Sequence, residues 1–104
     1  MMDVISMLHK DKKFKHLNEG IQAGQFFMSI QADSHHYCEP RADLPPYMFY
    51  SFEVAIYGNV PESIKQKFRG FEACPGDEDT IYYGFMPTNA LQMLYEMLLT
   101  WEDF

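Results

Sequence analysis

Apolar and polar residues alternate in three stretches of this chain, and each stretch predicts a strand. Over residues 25–32, Phe26, Met28, Ile30 and Ala32 point one way and Phe27, Ser29 and Gln31 the other, the period of a half-buried strand. Residues 47–57 repeat the pattern at greater length. Met48, Tyr50, Phe52, Val54 and Ile56 share one face, and Tyr47, Phe49, Ser51, Glu53, Ala55 and Tyr57 share the other, which predicts the central strand. In residues 80–86, Ile81, Tyr83 and Phe85 alternate against Tyr82, Gly84 and Met86, with Pro87 marking the exit.

Helical spacing fills the remainder. Asp3 stands as N-cap before Val4, Ile5 and Leu8, and Asp11 as cap of a second short helix over residues 12–19, with Phe14 and Leu17 inward and Gly20 at the left-handed C′ position. Pro61 and Glu62 suit the start of a helix that buries Ile64 and Phe68 and places Lys65, Lys67 and Arg69 near its carboxyl end. The last helix starts near Thr88 or Asn89, with Asn89 and Gln92 at capping-box spacing, and runs to about Trp101. Its stripe of Leu91, Leu94, Tyr95, Leu98 and Trp101 is widened by Met93, Met97 and Leu99, so more than one side needs covering, by the rest of the fold or by a second copy in a homodimer. Together these elements predict one α+β domain spanning residues 1–104, a small and mainly antiparallel sheet of three to four strands packed by a C-terminal helix, with short N-terminal helices.

Composition adds class. With 104 residues, 47% of them hydrophobic and 22% charged, the chain is long enough for one core and too short for two. No apolar run approaches the ~20 residues of a membrane span, and the amino terminus carries no basic leader before an apolar run, so a cytoplasmic protein with no membrane partner is expected. Two cysteines, Cys38 and Cys74, fit a reducing compartment, with a single bridge between them left open. Aromatics reach 16%, and interface centres favour these side chains.

Charge is unevenly placed. Residues 1–69 hold all eight Lys and Arg against eight Asp and Glu, whereas residues 70–104 hold seven acids and no base. A one-signed region attracts partners of opposite sign. Its centre is the turn with Asp77, Glu78 and Asp79, extended by Glu102 and Asp103 and flanked by Tyr82, Tyr83 and Trp101. These eight residues are the candidate partner-binding set: carboxylates speed and orient encounter, and rings supply a desolvated anchor. Such a patch also occupies sites meant for phosphates, as a DNA mimic does. The lysines at 10, 12, 13 and 15 form the one basic run, read as a solvated face without direct nucleic-acid binding.

The 33–46 segment carries the alternative chemistry. In the His35-His36-Tyr37-Cys38 run, the imidazoles and the Cys38 thiol, with Cys74 as a further donor, invite zinc, while Cys38 beside His35 or His36 oriented by Asp33 or Asp43 invites nucleophilic catalysis. A paired second ligand cluster is missing and no nucleophile motif surrounds Cys38. The residues therefore favour a non-enzymatic protein without cofactor, metal or catalytic residues over a zinc-binding or cysteine-dependent domain centred on this loop.

Ser29-Ile30-Gln31-Ala32, His36-Tyr37-Cys38-Glu39-Pro40-Arg41 and Phe52-Glu53-Val54-Ala55-Ile56 are similar to stretches of short phage proteins. As a small acidic α+β chain without a catalytic motif, the protein resembles the anti-CRISPR proteins and other phage-encoded inhibitors of host defence. The resemblance spans the middle third of the chain. It implies stoichiometric binding to a basic nucleic-acid-binding protein or nucleoprotein effector in the host cytoplasm, and it transfers no site residue, because that functional class shares no common site.

Overall fold

The computed structural model describes residues 3–74, 76–77 and 79–102. Five antiparallel strands form one sheet: β1 (Ile21–Ala23), β2 (Phe26–Gln31), β3 (Ser51–Tyr57), β4 (Glu72–Cys74) and β5 (Thr80–Pro87), in the order β1-β2-β3-β5-β4. Two helices complete the α+β fold, α1 (Glu62–Lys67) and the C-terminal α2 (Thr88–Leu99). The sheet thus exceeds the expected three to four strands. The additional edge strands β1 and β4 are three residues each, too short to show a periodicity.

The inward face follows the predicted alternation. Phe26, Met28 and Ile30 of β2, Phe52, Val54 and Ile56 of β3, and Ile81 and Tyr83 of β5 enter one core with Leu91, Leu94, Tyr95 and Leu98 of α2. Each fully buried aliphatic or aromatic side chain of this set contributes about 1.5–3 kcal/mol relative to exposure. Ile64 and Phe68, around α1, close the same core, with the Phe68 ring edge-on to Tyr83 at 6.4 Å. Among the described residues, no helix is long and apolar enough to cross a membrane.

Four local expectations are corrected. The first helix is a single 3-10 turn, Val4–Met7, capped as expected by Asp3, whose side chain accepts from the Ile5 N–H. Residues 12–19 form no helix: Asp11 Oδ1 takes the N–H groups of Lys13 and Phe14, and the chain returns so that Lys10 bridges Asn18. An Asp side chain that satisfies nearby N–H groups offers the backbone a turn in place of a helix. Phe14 is left exposed, and Gly20 instead makes room for the Phe27 ring, which lies where its Cβ would be.

The strand expected over residues 47–57 begins only at Ser51, because Pro45 and Pro46 set up a 3-10 turn, Pro46–Met48, and leave Met48 and Tyr50 exposed. No capping box forms on α2. Asn89 Oδ1 takes the next N–H, of Ala90, and Gln92 Oε1 reaches across to the Val4 N–H at 2.7 Å, tying the first turn of the chain to the last helix.

Candidate functional site

The helices α1 and α2 pack on one face of the sheet, and the opposite face, covered at one end by the 33–46 segment through Tyr37, stays open toward the acidic turn. Cross-strand pairs lay out that face: Phe27 stands opposite Tyr57, Ser29 opposite Ala55, and Ala55 opposite Tyr82. Phe27 and Tyr57 are each 43% exposed, with ring centroids 6.2 Å apart, and Tyr82 is half-buried beside them. Cross-strand aromatic pairs stabilise a sheet modestly, and here the pair also leaves apolar surface in solvent.

A bulge breaks the pattern at one end of this face. Phe52 pairs with Met86 and Val54 with Tyr83, so Gly84 and Phe85 together oppose Glu53. The extra residue inverts the remaining alternation: Met86 turns into the core, while Phe85, grouped by the alternation with Ile81 and Tyr83, is 44% exposed. Phe85 has φ 51°, a left-handed conformation that costs a non-glycine residue roughly 1–2 kcal/mol. Its N–H donates to the Tyr37 carbonyl at 2.9 Å, and its ring lies 5.8 Å from that of Tyr37. Arg41 lies over both rings, 5.1 and 5.8 Å from their centroids. Gly84 permits the approach, since a Cβ there would lie 3.2 Å from Tyr37 Cβ.

At the other end of the face is the acidic turn. Asp77 and Asp79 are exposed, and the Asp79 carbonyl accepts from the Gly58 N–H at 2.8 Å, directly after Tyr57. The end of α2 arrives there too, because Gly24, in the β1–β2 turn, packs against the carbonyls of Leu98 and Leu99. Glu102 is exposed, and Trp101 is half-buried in a shallow cleft with Asn59, Val60 and Pro61.

The fold therefore gathers Asp77, Asp79, Trp101 and Glu102 at one end of the sheet, with Tyr82 on the adjoining open face. Tyr83 is separated from them. It is 0% exposed, its buried hydroxyl has no partner among the described residues, and burial, with Glu72 adding to it, pushes its pKa up to about 12, so it has no surface to offer a partner. Glu78, Asp103 and the side chain of Cys74 lie outside the described residues. Two exposed rings outside that set are Phe27 and Tyr57, which the alternation groups on one face of their strands without saying that this face is the outward one. Phe85 was hidden by the bulge, with Gly84 inside a strand as its only signal.

The 33–46 segment is ordered by its own side chains. Asp33 Oδ1 accepts from the His35 N–H at 2.7 Å and from His36 Nδ1 at 2.6 Å, and Asp43 Oδ1 takes the Ser34 N–H and hydroxyl. Burial acts to raise the Asp33 pKa, but these hydrogen bonds and the histidine charges outweigh it and hold the carboxyl below its ordinary value. Glu53 accepts the Tyr37 N–H at 2.7 Å and so pins the segment to β3.

Cys38 is a free and fully buried thiol, donating to the carbonyl of Asp33 at 3.2 Å. Burial pushes its pKa up, which suppresses the thiolate that a nucleophile or metal ligand needs. His36 is committed to Asp33, the Cys38 thiol donates to the Asp33 and Pro40 carbonyls, and among the described residues no hydrogen bond joins Cys38 to His35 or His36. Among the described residues, no group of three His, Cys, Asp or Glu is placed to hold a metal ion. No protein-family model matches this chain, and neither does any curated protein or solved structure.

Proposed function

We propose that this protein is a non-enzymatic binding protein that inhibits a nucleic-acid-binding effector, in the manner of an anti-CRISPR protein, by covering a basic surface on it. The single observation that carries this reading is the open sheet face on which Phe27, Tyr57 and Tyr82 stand beside Asp77 and Asp79. Rings half in solvent gain from being desolvated against a partner, and carboxylates at the border steer a basic surface into register. Trp101 and Glu102 extend the same end.

The test is capture from a relevant host lysate on immobilised protein, at low and high salt, with two double variants alongside. The expected result is a basic nucleic-acid-binding protein retained at low salt and released as salt screens the contact. Capture should be lost with Asp77→Lys plus Asp79→Lys, and weakened with Phe27→Ala plus Tyr57→Ala. Equal capture by both variants and the parent would refute the reading.

A further inference from the structure

The end of the sheet opposite the acidic turn carries a cleft of about 590 Å³ between the 10–20 loop and the 33–46 segment, within the size range of small-molecule sites. Lys10, Lys15 and His16 line it from one side and His35 from the other. Its two carboxylates, which offset the charge of the two lysines, are hydrogen-bonded within the 33–46 segment: Asp33 by His35 and His36, and Asp43 by Ser34. The cations are not. Among the described residues, Lys10 Nζ has only the His16 carbonyl at 3.5 Å and Lys15 has no ion pair. Leu44, Pro45 and Pro46 supply an apolar wall next to these charges.

We propose that this cleft binds a small phosphate monoester with a flat, partly apolar body, of the nucleoside monophosphate class. A phosphate monoester carries a charge of about −1.5 to −2 at neutral pH and three acceptor oxygens, which matches two lysines with imidazole donors beside them. The rigid faces of Pro45 and Pro46, with Leu44, give a flat body apolar surface to lie against. The site is remote from the open sheet face and does not rest on the function proposed for it.

Adenosine monophosphate, inorganic phosphate and adenosine are the probes, titrated into the full chain by calorimetry and followed by the imidazole resonances of His16 and His35. The expected result is that adenosine monophosphate binds and moves both imidazoles, that phosphate and adenosine each bind more weakly, and that Lys10→Gln plus Lys15→Gln weakens binding by about tenfold or more. A melting curve on that variant verifies that it is folded, and the imidazole shifts on the parent protein stand independently of it. Absence of adenosine monophosphate binding at millimolar concentration, binding unaltered in the lysine variant, or phosphate binding as tightly as the nucleotide would each overturn the proposal.

Discussion

The two faces of this sheet are built from the same few residue types and do opposite things with them. Inward, Phe26, Phe52 and Tyr83 are fully enclosed between the strands and α2. Outward, Phe27, Tyr57 and Phe85 remain more than two-fifths exposed, although no sequence scale separates a Phe on one face from a Phe on the other. An enclosed ring contributes to folding in every molecule, whereas a ring left in solvent contributes its burial only when something covers it. The difference teaches that aromatic richness here serves two ends, and that strand phase assigns each ring to one of them.

The strongest way to break the comparison is to truncate one ring from each face. Phe52→Ala is expected to lose about 3–5 kcal/mol of unfolding free energy, measured by urea denaturation, because the side chain is enclosed on all sides and 5.9 Å from the Phe49 ring. Phe27→Ala should lose about 1 kcal/mol or less while weakening capture of the partner. Equal losses at the two positions would show that the outer face is structural after all.

A smaller effect sharpens the inner side. Tyr83→Phe removes a buried hydroxyl that has no hydrogen-bond partner among the described residues. It should leave stability unchanged or raise it by about 1 kcal/mol, read as a higher denaturation midpoint. A loss of stability would mean that the hydroxyl is bonded.

The smallest effect concerns the segment that covers one end of the outer face. Asp33 has a folded pKa below its ordinary value of 3.8, so the unfolded chain binds more protons in that window. Its contribution is present above the ordinary value and is lost as the pH falls through the folded one. Acid unfolding should therefore be less steep in Asp33→Asn, and a proton titration of Asp33 should give a midpoint under 3.8. A midpoint at or above that value would remove the hydrogen-bonded carboxylate as the organiser of the segment.

How legible all this was depended on range. The two faces of β2 and of most of β3 could be sorted, and Ile64 with Phe68 and the buried stripe of α2 could be read, because each follows from a local period. The 10–20 loop could not. Asp11 at its start fits a helix cap and a turn equally, and the choice fell to Gln31, thirteen residues beyond Asn18, whose side-chain amide accepts from the Asn18 N–H at 2.8 Å and donates to the Asn18 carbonyl at 3.0 Å. The candidate site divides in the same way. Its acids stood out in the linear charge pattern, while Tyr83 was mistaken for a surface ring because one strand shows two faces and the sequence does not say which of them a helix will cover.

By itself, then, the sequence determined the α+β class, the three longer strands, the C-terminal helix and the concentration of acid in the last third of the chain, all properties of neighbours along the backbone. Only the tertiary structure decided which sheet face stays open, where the bulge at Gly84 and Phe85 inverts the alternation, and that the acidic turn and the lysine and histidine cleft lie at opposite ends of one sheet. The physical reason is that burial and register are settled between segments distant in sequence, through pairings such as Phe52 with Met86, which no local pattern encodes.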